Sequence, residues 1–118
     1  MNYVDGFVAA VPGDNKRAYE KKAGEVWALF KKHGALHMTE CWGDDVPDGK
    51  VTDFKRAVQA KPEETVVFSW IVWPSKKIRD AAHKKMQEER EMKPEDMPFD
   101  GQRMIFGGFN VLLDKGKA

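Results

Sequence analysis

The sequence predicts an α+β fold in which strands and helices follow the order strand, helix, strand, strand, helix, strand. Three kinds of observation lead to this prediction. Four segments are rich in β-branched and aromatic residues, two segments carry apolar residues at a spacing of three to four, and Pro or Gly punctuates the connections. The 118 residues are enough for one hydrophobic core, so one domain spanning residues 1–118 is expected.

The first half is predicted to form a strand, a helix and a second strand. The segment from Tyr3 to Val11 is largely apolar on both alternating faces, which is typical of a strand covered on both sides. Asp14 is predicted to cap the next helix, and Gly34 to end it. The helix presents one apolar stripe, formed by Tyr19, Ala23, Val26, Trp27 and Phe30. The second strand is predicted from about Ala35 to Gly43.

The second half repeats this outline without repeating the sequence. Residues Val51 to Ala60 fit either a strand extension or a short helix, and Thr65 to Trp73 is the strongest strand prediction. Ser75 is predicted to cap a second helix. The charged run from Lys84 to Lys93 is predicted to extend this helix with a solvent-exposed face, and Pro94 is predicted to end it. Its apolar stripe consists of Ile78, Ala81, Ala82 and Met86.

The last strand is predicted from Gln102 to Leu113, where Gly107 and Gly108 indicate a bulge or a close backbone approach. The resulting order is that of a ferredoxin-like βαββαβ subunit with a four-stranded antiparallel sheet. Two helices cover one face of such a sheet, and here the other face also reads as apolar. A homodimer that pairs through these sheet faces is therefore expected.

Composition excludes several classes of partner. Twenty basic and 19 acidic residues give a formal charge of +1, which provides no electrostatic case for nucleic acid or an anionic membrane. Cys41 is the single cysteine, so an internal disulfide is excluded. The beginning of the chain lacks the pattern of a signal peptide and no segment is apolar enough to span a membrane, so a cytoplasmic location is expected.

No motif predicts a metal or a cofactor. His37 and Cys41 lie four residues apart in a strand, about 13 Å between Cα atoms, which is too far to share a metal ion. The DDVPDG turn that begins at Asp44 has the wrong residues for a calcium loop. The Gly107-Gly108 pair lies inside a strand rather than before a helix, unlike a phosphate-binding loop. Ser75 is better explained as a helix cap than as a nucleophile.

Polar residues inside apolar strands are the candidates for a binding site. Asp5 and Glu40 are carboxylates in predicted strands, and burying a carboxylate is costly unless it is paired or functional. Arg103 is a candidate partner for either of them, and His37 could join the same cleft. The predicted aromatic walls of this cleft are Trp42, Trp70 and Phe106. The alternative is a buried ion pair, or a strand-end residue that reaches solvent, with the aromatic residues belonging to the core.

Four segments together resemble the YbaA-like family of small bacterial proteins, a family of unknown function. They are YVDGF at Tyr3 to Phe7, ECWGDDVPDGKVTDF at Glu40 to Phe54, FSWIVWPSK at Phe68 to Lys76 and FDGQRMIFGGF at Phe99 to Phe109. The resemblance implies a dimeric α/β barrel, in which two ferredoxin-like subunits place their sheets face to face. It implies no settled activity, because the wider superfamily includes cofactor-independent monooxygenases, haem-dependent enzymes, isomerase-like members and apparent non-enzymes.

Three functions stay open from the sequence. The first is binding of a small molecule in a cleft between the sheet and the helices. The second is an enzyme resembling a cofactor-independent monooxygenase, in which the protein supplies a base and a dry aromatic cavity. The third is a non-catalytic interaction or scaffold protein, in which the aromatic residues form only core and dimer. The sequence names no ligand and no pathway.

Overall fold

A computed structural model describes residues 2–89 and 96–117 of the chain. The four strands form one antiparallel sheet in the order β2-β3-β1-β4, with its helices in the connections between strands. The elements in chain order are β1 (Tyr3–Pro12), α1 (Lys16–Lys32), β2 (His37–Trp42), α2 (Phe54–Ala57), β3 (Glu64–Trp73), α3 (Lys76–Glu88) and β4 (Ile105–Asn110). The predicted α+β fold with a four-stranded antiparallel sheet is confirmed, and the ambiguous segment after β2 contains the short helix α2.

The ends of α1 differ in how well the sequence predicted them. Asp14 is not the N-cap, because β1 runs through Pro12 and a 3₁₀ turn, Gly13–Asn15, intervenes before the helix. The backbone N–H of Gly13 donates to the carbonyl of Glu63, and this contact holds the turn against the start of β3. At the other end Gly34 has φ of +108°, the left-handed conformation expected of a glycine that ends a helix.

The start of α3 confirms its predicted cap. The Oγ of Ser75 accepts a hydrogen bond of 3.2 Å from the backbone N–H of Ile78, which satisfies one of the free donors in the first turn. Ala82 and Met86 of the predicted stripe are buried, whereas Ala81 is exposed. The helix is described up to Glu88, and the predicted stop at Pro94 lies outside the described residues.

The last strand is shorter than predicted. Gln102 and Arg103 belong to a 3₁₀ turn, because the carboxylate of Asp100 accepts from the backbone N–H of Gln102 and closes the chain on itself. At the other end Leu112 and Leu113 lie beyond β4 and are largely exposed.

The predicted close approach at the glycine pair is confirmed at Gly108. A Cβ atom there would lie 2.7 Å from the Tyr3 ring and 2.9 Å from Nη2 of Arg79. The sheet and α3 can meet at this point only because the strand carries no side chain.

The two faces of the sheet have different surroundings. The face toward α1 and α3 holds the largest core cluster, whose members include Tyr3, Val26, Phe30, Ile71, Trp73, Ala82 and Met86. The opposite face, here called the outer face, is covered in part by the segment after β2, where Val58 is fully buried against Val8 and Val66. Large apolar side chains on or beside the rest of the outer face are about half exposed: Phe54, Phe68, Ile105 and Phe109.

Candidate functional site

A cleft of about 240 Å³ opens between the first half of α1 and the end of β2. Period-two alternation turns Glu40 and Trp42 of β2 toward the helix, and the stripe of α1 presents Tyr19 to them. Glu40 is therefore the carboxylate of an otherwise mainly apolar recess. The lining residues are Lys16, Tyr19, Glu20, Ala23, Glu40, Cys41, Trp42 and Val67.

One oxygen of Glu40 accepts two hydroxyl hydrogen bonds. The Oη of Tyr19 donates to Oε1 at 2.6 Å, and the Oγ of Ser69 donates to the same atom. Ser69 is fully buried and lies directly opposite Glu40 in the pairing of β2 with β3, so the sheet register sets this contact. Oε2 of Glu40 has no hydrogen-bond partner among the described residues.

The surroundings of Glu40 favour its protonated form. Burial raises the pKa of Glu40 above its ordinary value, and the hydrogen bonds from Ser69 and Tyr19 only partly oppose this effect. The pKa of Tyr19 is also raised, first by burial and then by the negative charge of Glu40, so Tyr19 stays a hydrogen-bond donor. The cleft therefore contains a carboxyl group that keeps its proton to a higher pH than an exposed glutamate does.

Aromatic rings and one cation border this carboxyl group. The ring centroids of Tyr19 and Trp42 are 6.4 Å apart, and Phe99 packs on the other side of Tyr19 at 5.8 Å. The Nζ of Lys16 lies 5.6 Å from the centroid of the Trp42 ring, a cation–π arrangement in the cleft lining. Glu20 follows Lys16 by one helical turn, so the exposed rim contributed by α1 carries both signs of charge.

Asp5 belongs to a second, separate cluster. Its Oδ1 accepts from Nε of Arg79 at 2.9 Å and lies 2.8 Å from Nη2 of the same arginine, and its Oδ2 accepts from Nε1 of Trp73 at 2.9 Å and lies 3.0 Å from Nε2 of His83. Burial alone would raise the pKa of Asp5, but the hydrogen bonds and charges of His83 and Arg79 outweigh it and lower the pKa. The arginine also stacks on the Tyr3 ring at 5.4 Å. This cluster fixes α3 to β1 and β3.

Arg103 does not pair with Asp5 or Glu40, and that expectation is wrong. Its guanidinium forms a bidentate pair with Glu64, at 2.7 and 2.6 Å, and its Nε donates to Asp100 at 3.0 Å. The hydrogen bond from Arg103 is the main reason that the pKa of Glu64 falls to about 2. Because Arg103 lies in the turn before β4 rather than in the strand, it reaches the start of β3 and not the cleft.

The remaining predicted residues divide between the two faces. Trp42 lines the cleft with Glu40. His37 is exposed and bonds to Thr39 at 2.9 Å, and its position in β2 places it on the outer face. Trp70 also lies on the outer face, where its ring is 5.5 Å from that of Phe68. Phe106 is 72% exposed in β4 and is not among the residues that line the cleft.

Sequence reasoning missed the residues that complete the two clusters. Tyr19 was predicted only as part of an apolar stripe, and Ser69 was not among the predicted site residues. Arg79 and His83 are four residues apart and so share a face of α3, and both contact Asp5. The i, i+4 spacing of an arginine and a histidine on the second helix was the signal available for this cluster.

A second depression lies on the opposite flank of α1. Its volume is about 370 Å³, and it is shallow and lined mainly by charged or small residues such as Lys21, Glu25 and Asp96. It holds no buried polar group comparable to Glu40. In the described ranges, no group of three or more His, Cys, Asp or Glu side chains is placed to bind a metal ion. No helix in the same ranges is long and apolar enough to cross a membrane.

Comparison with known proteins gives a consistent result. A family model described as "Protein of unknown function (DUF1428)" matches residues 2–101. Proteins named "Uncharacterized protein YbaA" from Escherichia coli K12, Escherichia coli O157:H7 and Shigella flexneri are each 58% identical to the chain over 117 residues. The matches cover 98% of this chain and all of each relative. They confirm the resemblance predicted from the four sequence segments.

Proposed function

The chain belongs to the DUF1428 family of proteins of unknown function, and from the geometry around Glu40 we propose that it binds a small molecule in the cleft between α1 and β2. The observation that carries the proposal is a partly buried carboxyl group in an aromatic recess, with one oxygen that forms no hydrogen bond to any described residue. Small-molecule sites commonly combine apolar walls with a few polar groups that fix orientation.

The size of the cleft limits the ligand. Its volume of about 240 Å³ is below the range of about 300–1,000 Å³ that is typical of pockets for drug-sized molecules. Trp42 and Tyr19 supply flat apolar surface, and Val67 and Ala23 also line the recess. The proposed ligand is therefore a metabolite smaller than a nucleotide, with an apolar or aromatic body and at least one hydrogen-bond donor for Glu40.

A thermal-shift screen of small metabolites tests this proposal. A ligand at one hundred times its dissociation constant adds about 2.7 kcal/mol to stability, which raises the melting temperature of a domain of this size by about 10 °C. A hit should lose its shift in Glu40→Gln, which keeps the shape of the side chain and the acceptor for Tyr19. The matched control is Glu25→Gln, an exposed glutamate on α1 outside the cleft, which should keep the shift. A ligand that still raises the melting temperature of both variants contradicts the placement of the site.

An enzyme resembling a cofactor-independent oxygenase is the second candidate. The observation that favours it is the raised pKa of Glu40 beside aromatic walls, since such enzymes need a base in a dry cavity. Oxygen uptake with small hydroxylated aromatic substrates tests it, and uptake should disappear in Glu40→Gln. If the screen yields no ligand and no substrate supports uptake, the third function, an interaction protein, is favoured.

We also propose that the strand order corresponds to a ferredoxin-like subunit and that two copies pair through their outer faces. The support for pairing is the apolar surface that Phe68, Ile105 and Phe109 expose on a sheet face, which is unusual for a monomer. Closing two such faces on each other would give the dimeric α/β barrel. Light scattering at micromolar concentration should report twice the 13.5 kDa mass of one chain, and a monomer at that concentration would contradict the pairing.

A further inference from the structure

The partners of Glu40 differ from those of three other carboxylates in the described ranges whose side chains are largely covered. The side chains of Asp5, Asp53 and Glu64 are 12%, 4% and 4% exposed, and each pairs with an arginine at 3.2 Å or less. Glu40 is also drawn out of water, but its partners are the hydroxyls of Tyr19 and Ser69. No lysine, arginine or histidine of the described ranges lies within ion-pair distance of it.

Among the residues that the structure describes, the lack of a cation at Glu40 matters because ionising a partly buried carboxyl group is costly without one. Removing a carboxylate from water costs several kcal/mol unless a positive charge and hydrogen bonds compensate. The two hydroxyls satisfy Oε1, and no described residue donates a hydrogen bond to Oε2. A ligand that brings a positive charge would supply the partner that arginines supply elsewhere in this chain.

The walls and the rim of the cleft suit such a ligand. Aromatic faces attract cations, and Tyr19 and Trp42 stand together beside Glu40. The single cation in the lining, Lys16, already lies over the Trp42 ring, and Glu20 adds a second negative charge to the set. The charged lining residues are thus two carboxyl groups and one ammonium group, which favours a positive ligand over a negative one.

We propose that the cleft recognises a small organic amine, whose ammonium group binds Oε2 of Glu40 and whose apolar or aromatic body lies against Trp42. This inference rests on the proposed small-molecule function and names the class of ligand. Tyr19 and Ser69 act as positioning residues, since they hold Oε1 and leave Oε2 for the ligand. Binding of the amine would favour the ionised form of Glu40, so affinity should fall as the pH is lowered through the titration of this group.

Three probes of similar size and different charge test the charge preference of the cleft. 2-Phenylethylamine is a cation, 2-phenylethanol is its neutral counterpart, and 3-phenylpropionate is an anion of similar size. Each is titrated into ¹⁵N-labelled protein while the amide signals of Ala23, Trp42 and Val67 report on the cleft. We expect the amine to shift these signals with an affinity at least about tenfold above that of the alcohol, since hydrogen bonds between charged groups are roughly twice as strong as neutral ones. The anion should bind most weakly.

Variants connect the preference to Glu40. Glu40→Gln should bring the amine to the affinity of the alcohol, whereas the control Glu25→Gln should keep the tenfold difference. An alcohol or an anion that binds the cleft as well as the amine overturns the inference and leaves the proposed binding function standing. A metabolite from the screen that shifts these signals when the amine does not also overturns the inference and leaves the proposed binding function standing. If no compound shifts them, both the inference and the proposed function fail.

Discussion

Replacing Asp5 with Asn should lower the free energy of unfolding by about 3–5 kcal/mol, the cost of removing one charge from a buried ion pair. Asp5 is 8% exposed, and its two oxygens accept from Arg79 and Trp73 and contact His83. Asn keeps one acceptor oxygen, and its amide group would face donors in place of the second oxygen. Arg79 would then keep a positive charge with a side chain that is only 16% exposed.

The expected change is large for a protein of this size. An entropy of unfolding of about 0.25 kcal/mol/K, estimated for 118 residues, converts the loss into a fall of about 12–20 °C in melting temperature. Denaturant unfolding followed by circular dichroism gives the free energy, and a thermal scan gives the second estimate. Both measurements should be made near pH 7, where Asp5 is ionised because its pKa is lowered.

Asp80→Asn is the matched control for this experiment. Asp80 contacts the same arginine at 2.9 Å, but its side chain is 45% exposed, so the same substitution should change the melting temperature far less. The reasoning is refuted if Asp5→Asn and Asp80→Asn have equal effects. A double variant, Asp5→Leu with Arg79→Met, should recover part of the loss, because it removes both buried charges together.

Three further predictions concern Glu40, the outer face and the glycine pair. Because burial raises the pKa of Glu40 from 4.5, the wild-type protein should lose stability relative to Glu40→Gln as pH rises above about 4.5; unfolding curves that keep a constant difference from pH 4 to 8 would contradict this. If the proposed dimer forms, Phe68→Glu, on the outer face, should halve the mass measured by light scattering, whereas Phe106→Glu, on the other face of the sheet, should leave that mass unchanged. Gly108→Ala should cost about 1–3 kcal/mol in denaturant unfolding, because the new Cβ overlaps an aromatic ring and a guanidinium group; Gly107→Ala, where the new Cβ would lie 3.4 Å from the Phe109 ring, should cost clearly less.

Local patterns predicted the order of the elements and several of their ends. The strand around Thr65 to Trp73, the stripe of α1, the cap at Ser75 and the stop at Gly34 all depend on residues close together in the chain. The predicted starts of α1 and β4 were wrong, because contacts between residues distant in sequence act on the chain there. Gly13 is bound by the carbonyl of Glu63, and Arg103 is held in its turn by Glu64.

The candidate site was predicted only in part. Glu40 stood out because a carboxylate inside an apolar strand needs an explanation, and Trp42 shares its face by the period-two rule. The same reasoning singled out Asp5 correctly as a buried carboxylate but assigned it the wrong partner. A single sequence does not state which cation reaches which carboxylate, because Arg79 and Asp5 are 74 residues apart.

The sequence by itself therefore determined that this chain forms an α+β fold with two carboxylates inside apolar strands. It also determined that the sheet face opposite the helices carries apolar side chains. The tertiary structure alone decided that Asp5 is neutralised by Arg79 and that the hydrogen-bond partners of Glu40 in the described part of the chain are hydroxyl groups. The physical reason is that hydrophobic periodicity acts over a few residues, whereas sheet register and helix packing bring distant side chains within hydrogen-bond distance. That difference in partners is what separates a structural ion pair from a candidate binding site.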